Sequence, residues 1–241
     1  MLKQDAITPL YVQLMDELEA SIRNGVYKPG DKIMTETEMA KEYGVSLITV
    51  RKAVGSLMEK GLVVRKQGKG TFVTKPKFSR NMRKLQSFTE MCEQMGVKPG
   101  AQVLENRLIM ADKKVADRLG IEPGSNVVYI SRLRLADGEP VQVEKSYFPL
   151  KYAFLLEEDL NNGSMFECLK EKAGAKVASS EKMIELCRAT AEEAALMDVK
   201  KGDYLLFVKS TAYDENGEPM YAGIQLINGD RFSLYVYESG K

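Results

Sequence analysis

The chain has 241 residues, with 35 Lys and Arg against 34 Asp and Glu, three Cys, and neither His nor Trp. The lack of His excludes Ser-His-Asp triads, Cys-His nucleophiles and His-bearing zinc sites, and Cys92, Cys168 and Cys187 are too widely spaced for CxxC ligation, so neither a metal nor a cofactor is expected. An apolar share of 44% with 29% charged residues is that of a soluble globular protein of one large or two ordinary domains. The longest uncharged apolar runs, such as Asn126–Ser131, fall far short of the roughly 20 residues a bilayer demands, and MLKQDAITPL has no signal-peptide apolar core, so a cytoplasmic protein without membrane attachment is expected.

The near-zero net charge hides an asymmetry. Residues 44–85 hold 11 basic groups against Glu59 alone, a local charge of +10. Such a block repels itself unless something anionic neutralises it, and nucleic acid is the leading candidate.

Local pattern supports that reading. Leu10, Leu14, Leu18 and Ile22 recur on one face between Pro9 and Asn24, which predicts a first helix with Thr8 as N-cap and Pro9 at its first position. Thr35-Glu36-Thr37-Glu38 is a capping box opening a short second helix that Gly44 ends. Ser46 caps a third helix in which Val50, Val54, Leu57 and Met58 face inward, leaving Thr49, Arg51 and Lys52 outward. After Gly61 the period becomes two: Leu62-Val63-Val64 and Thr71-Phe72-Val73 flank Arg65-Lys66-Gln67-Gly68-Lys69-Gly70, a hairpin whose cationic tip can approach phosphates. Two short helices joined by a tight turn and followed by such a wing predict a winged helix-turn-helix whose third helix enters the major groove.

These residues resemble the GntR family of bacterial transcription regulators. The likeness rests on PLYVQLMDELEASIRNGVYKPGDKI and ETEMAKEYGVSLITVRKAVGSLMEKGLVVRKQGKGTFV, about 70 residues with several separated signatures. It implies DNA contacts from Thr37, Ser46, Thr49, Arg51, Lys52, Arg65, Gln67, Gly68, Lys69 and Gly70. Thr37 and Leu47 stand where the family commonly has Arg. Since each bidentate Arg contributes roughly 1–3 kcal/mol of base discrimination, these departures point to an operator of different sequence.

Residues 74–83, TKPKFSRNMR, show no apolar period and read as a linker. The expected organisation is therefore a DNA-binding domain over 1–74, a linker over 75–83 and a second domain over 84–241. The second domain contains an internal repeat. Ala111–Leu119, Pro123-Gly124, Val127–Ile130 and Asp137-Gly138-Glu139-Pro140 are echoed about 78 residues later by Ala194–Leu196, Lys201-Gly202, Leu205–Val208 and Asn216-Gly217-Glu218-Pro219. Each copy reads as helix, turn, strand, hairpin turn and strand, and the two predict one α+β domain with a shared antiparallel sheet, Phe232–Glu238 adding a further strand.

That second domain resembles the UTRA effector domain of the HutC subfamily, whose fold is shared with chorismate lyase. The residues carrying the likeness are Leu85–Glu90, Arg132-Leu133-Arg134, Asp137–Pro140, Glu144–Pro149 and Gly229–Phe232. Independently of it, Arg132 and Arg134 at i and i+2 of a strand share a face and form a fork for phosphate or carboxylate. Ser87 and Ser164 are expected N-caps of helices Phe88–Met95 and Met165–Ala173, whose free N–H groups accept anions. The resemblance implies that Ser87, Thr89, Arg132, Arg134 and Ser164 cradle a sugar phosphate and that Glu144 and Phe166 line the sugar. Phe88 and Tyr221 are assigned to the same site, Tyr221 standing where the family often has Glu. The implied protein is a ligand-responsive, homodimeric repressor of a palindromic operator, released by an anionic metabolite. The competing reading is a lyase or transferase built on the second domain, for which Glu144 is the only candidate acid or base. The cysteines are expected to fill cores.

Overall fold

The computed structural model describes residues 2, 7–66, 68–74, 77–161, 163–237 and 239. The chain forms two units, Met1–Pro76 and Lys77–Lys241.

The first unit holds helices α1 (Leu10–Arg23), α2 (Glu36–Tyr43) and α3 (Leu47–Glu59) and strands β1 (Val63–Lys66) and β2 (Gly70–Val73). Pro9, not Thr8, is the N-cap of α1, and its carbonyl accepts from the N–H groups of Val12 and Gln13. Proline has no N–H to satisfy, so it serves here as readily as at the first helical position. The capping box of Thr35 and Glu38 forms as expected, and α2 ends at Gly44 in the left-handed conformation. Ser46 Oγ accepts from the Thr49 N–H at 3.2 Å and starts α3. Leu14 and Leu18 meet Val50, Val54 and Leu57 in the core, joined by Ala53 in place of Met58, which is exposed. Met58 lies one step round the helix from Leu57, beyond the edge of the buried stripe. The wing is anchored at its base: Val73 N–H donates to Asp31 O and Ile33 N–H to Thr71 O.

The second unit begins earlier than the sequence suggests. Residues 78–81, expected within the linker, form strand β3 (Phe78–Asn81), which pairs in parallel with β10 (Phe232–Tyr235) in a two-stranded sheet of their own. Phe78 and Phe232 stack at 5.0 Å, and Arg231 bridges to Glu139 at 2.7 Å. The expected strand Phe232–Glu238 is thus shorter and does not extend the main sheet; Glu238 lies outside the described residues. A four-residue strand whose partner lies some 150 residues away leaves too little local pattern to be read.

The main sheet is antiparallel, of six strands: β4 (Pro99–Met110), β5 (Asn126–Ala136), β6 (Glu139–Pro149), β9 (Pro219–Asn228), β8 (Tyr204–Tyr213) and β7 (Ser179–Arg188), in that spatial order. The repeat accounts for it. Each copy gives strand, helix, strand, strand, with α5 (Lys113–Leu119) and α7 (Ala191–Met197) as equivalent helices, and the copies join where β6 pairs β9. Alternation along the strands gives the sheet two faces. One, with Val127, Leu133, Val143 and Leu226, packs under α5 and α7. The other carries two separate apolar clusters. At one end Val128, Ile130 and Phe148 meet the 3₁₀ segment Leu150–Leu156 and α6 (Met165–Ala173). At the other, Val208 and Ile227 meet β3, β10 and α4 (Phe88–Gln94). Between these clusters the face turns polar.

Cys92, Cys168 and Cys187 each pack in or against an apolar cluster. Burial pushes the Cys92 thiol up to about 11, far from a reactive thiolate.

Candidate functional site

The polar gap on the second face is an open cleft. Its floor follows the strand register. Arg132 on β5 lies opposite Glu144 on β6, and Glu144 lies opposite Gln225 on β9, so all three project to the same side. Ser146, Gly223 and Ser210 form the next such row. A side chain at Gly223 would bring a Cβ within 2.9 Å of Ser210 Oγ and 3.2 Å of the Tyr221 ring, so only glycine fits without displacing the floor. The walls come from α4 and the start of α6. Ser87 caps α4 through a reciprocal box with Glu90, and Ser164 Oγ accepts from the Glu167 N–H at 3.4 Å. All nine residues assigned to an effector site from the sequence line this one cleft: Ser87, Phe88, Thr89, Arg132, Arg134, Glu144, Ser164, Phe166 and Tyr221.

The two arginines differ in role. Arg132 is buried and engaged: Nε donates to Glu144 Oε1 at 2.7 Å, Nη2 pairs with the same oxygen, and Nη1 donates to the carbonyls of Leu160 and Gly163. Arg134, equally buried, stacks over the Phe88 ring at 4.5 Å and donates from Nη2 to Thr89 Oγ1 at 3.3 Å. Its Nε and Nη1 have no hydrogen-bond partner among the described residues. Nη1 is 3.9 Å from Glu144 Oε1, close enough for attraction but not for a hydrogen bond. Orphaned donors on a buried guanidinium are costly, and an incoming anion would satisfy them. The two-arginine fork expected from i, i+2 spacing is therefore one arginine that holds the floor together and one that lines the cleft with two buried donors unpaired among the described residues.

Glu144 accepts from Arg132 on one oxygen and from Gln142 Nε2 at 3.2 Å on the other. Burial alone would raise its pKa, but Arg132 and Arg134 outweigh that and hold the carboxyl below its usual range. A permanently ionised carboxylate is an acceptor for a hydroxyl and a poor proton donor. Tyr221 packs between Phe148 and Phe166, and burial pushes its phenol up, so it stays neutral.

Sequence reading missed Arg80, Gln86, Ser146, Ser210, Gly223 and Gln225, which also line the cleft. For Ser210 and Gly223 a signal existed: they stand 78 and 79 residues after Arg132 and Glu144, the offset of the repeat.

In the first unit, Thr37, Ser46, Arg51, Lys52, Arg65, Gly68 and Lys69 are exposed, with Thr49 and Gly70 half-buried; Gln67 lies outside the described residues. Leu47 and Ile48, on the first turn of α3, are exposed as well. Glu36, in the first turn of α2, pairs with both Arg51 of α3 at 2.8 Å and Arg65 of the wing, tying helix and wing together. Ser46 Oγ lies 2.9 Å from Thr49 Oγ1, and Lys52 Nζ sits 3.8 Å over the Tyr11 ring. Gly70, at φ +123°, lets the strand pass Lys32, whose Cε would lie 2.6 Å from an added Cβ. No helix among the described residues is long and apolar enough to cross a membrane, and none of their acidic and Cys side chains cluster as a metal site.

Comparison with known proteins matches the same two parts. The model described as bacterial regulatory proteins, gntR family, covers residues 10–73, and that described as the UTRA domain covers 94–233. The HTH-type transcriptional repressor NagR of Bacillus subtilis is 33% identical over 98% of this chain and 96% of its own. The probable fructoselysine utilization operon transcriptional repressor of Escherichia coli K12 is 29% identical over 94% of this chain and 93% of its own. The crystal structure of PhnF from Mycobacterium smegmatis superposes with a TM-score of 0.69 at 25% identity, over 94% of this chain and 99% of that one.

Proposed function

We propose, since the chain belongs to the GntR family of bacterial regulatory proteins and is with its UTRA domain a ligand-responsive transcription regulator and not an enzyme, that it represses from a palindromic operator as a homodimer and is released by a phosphorylated sugar. The observation that carries the ligand class is Arg134: a buried guanidinium that lines the cleft beside a Thr hydroxyl, with two donors unpaired among the described residues, is suited to phosphate oxygens. Glu144, Tyr221 and Phe166 offer an acceptor and aromatic faces of the kind a sugar ring uses. The names of NagR and of the fructoselysine operon repressor support repression, and the second supports a sugar-derived signal.

On the DNA side, Arg51 reads bases from the exposed face of α3, with Thr49 and Lys52 beside it, while Arg65, Lys69 and the backbone of the wing hold phosphates. Thr37 and Ser46 flank the start of α3. A dimer through the second unit would space two such helices about one DNA turn, roughly 34 Å, apart. The exposed Met183, Ile184 and Leu186 of edge strand β7 provide apolar surface for it. Light scattering on residues 77–241 should then give twice the fragment's mass at micromolar concentration, a monomer counting against the assignment.

The operator assay is fluorescence anisotropy on the chain's own upstream DNA, with and without a panel of hexose and amino-sugar phosphates. An active sugar phosphate weakens wild-type binding by about 5- to 150-fold, the usual range of allosteric coupling. Arg134→Ala should bind DNA as the wild type does without ligand and lose the response; a retained response would remove Arg134 from the site.

A further inference from the structure

The cleft has a second cationic end, and it is built from the segment that reads as linker. Arg80 on β3 reaches the cleft from the β9 side. Its Nη1 donates to Gln225 Oε1 at 3.1 Å, and its Nη2 makes a long 3.5 Å contact with the carbonyl of Gln86. Both partners are neutral, and among the described residues no carboxylate lies within ion-pair range of Arg80. Lys182 adds to this end. In the sheet register it lies opposite Ser210, which lies opposite Gly223, and all three project to the cleft's side.

These residues mark out a distance. From Arg132 through Glu144 to Gln225 is one row across β5, β6 and β9, and two strand spacings of about 4.8 Å separate its ends by about 10 Å. The unpaired donors of Arg134 belong to the β5 end, and Arg80, bound to Gln225, marks the β9 end. Glu144 stands between them with its charge already committed to Arg132. The only carboxylate lining the cleft among the described residues therefore neutralises one of three arginines, and the other two leave a positive charge at each end.

We propose that the effector carries two anionic groups, a phosphate at Arg134 and a second phosphate or carboxylate at Arg80, set apart on a sugar-sized body that spans Glu144. This deepens the reading of the cleft as an effector site and rests on it. Electrostatics supports the second end independently of its hydrogen bonds. Lys182 is brought down to about 8, first by burial and then by the nearby Arg80 charge, and burial likewise lowers Arg80. Two half-buried cations that repel each other, with no anion between them, are stabilised when one arrives. The contact also places the second group on β3, the first strand after Pro76.

Calorimetric titration of the full chain with inorganic phosphate, fructose 6-phosphate and fructose 1,6-bisphosphate tests this. The bisphosphate should bind at least tenfold more tightly than the monophosphate. Arg80→Gln should collapse that ratio towards one and Arg80→Lys should keep most of it; Lys182→Gln, which leaves β3 untouched, should lower it several-fold. If wild type binds the mono- and bisphosphate equally, or the ratio survives in Arg80→Gln, the second anionic end is wrong while the phosphate site stands. If none of the three probes binds at millimolar concentration, the effector reading of the cleft fails and this proposal falls with it.

Discussion

Each unit of the molecule sets two arginines against one carboxylate, and the two arrangements differ in how much water reaches them. Arg51 and Arg65 share Glu36 at the surface, with side chains 64% and 51% exposed. Arg132 and Arg134 face Glu144 with side chains only 3% exposed. In water the first arrangement is worth little, because screening and side-chain entropy cancel most of the attraction. It can therefore be exchanged for DNA phosphates and bases at small cost. The second is enclosed, so its parts depend strongly on one another. Similar chemistry gives loosely held surface cations in one unit and a rigid buried frame in the other.

The sharpest way to break this comparison is Glu144→Gln. Removing the carboxylate strands the buried Arg132 and takes the nearest countercharge from Arg134, and a loss of about 3–5 kcal/mol is expected in chemical denaturation, if the second unit remains folded at all. The same residue predicts a pH dependence. Because the folded carboxyl titrates below its unfolded value, near 4.5, its contribution is fully present above that pH and is lost as the pH falls through the lowered folded value. Wild type should therefore lose stability steeply under acid, and the variant should lack that part of the slope.

A middle-sized effect separates the two cation types at the surface. Arg51→Ala should lose roughly 1–3 kcal/mol of preference for the operator over random DNA, while Lys69→Ala should weaken binding on all sequences and reduce the salt slope by about one unit. Unchanged operator selectivity in Arg51→Ala, measured by competition anisotropy, would displace α3 as the reading helix. The smallest effect belongs to Glu36→Gln: less than about 1 kcal/mol of stability, with unspecific DNA affinity rising because two cations lose their competitor. A large destabilisation there would erase the distinction between the units.

The sequence was most legible where a rule acts over a few residues. The capping box at Thr35, the caps at Ser46 and Ser87 and the helix-to-strand change of period after Gly61 all appear as read. The repeat exposed the main sheet because both copies obey the same spacing. What stayed hidden depends on distant partners. Residue 80 is placed by pairing with β10, and the division of labour between Arg132 and Arg134 is set by the carbonyls of Leu160 and Gly163, which no i, i+2 rule contains. Met58 and Ala53 exchanged places because helical spacing fixes a stripe's direction more securely than its edge.

The duplication behind the six-stranded sheet has a further consequence. Superimposing the second copy on the first by the offset of the repeat puts Ser210 where Arg132 stands and Gly223 where Glu144 stands, and those two residues are register partners as Arg132 and Glu144 are. A faithful duplicate would have carried a second ion pair, packed against the first across the join of β6 and β9. One half carries the charged pair, and the other carries a hydroxyl and a hydrogen atom at the equivalent positions. Ser210 and Gly223 line the cleft, so part of its floor lies where the two halves differ. Restoring bulk at Gly223 would close it from the floor while leaving every charged residue in place.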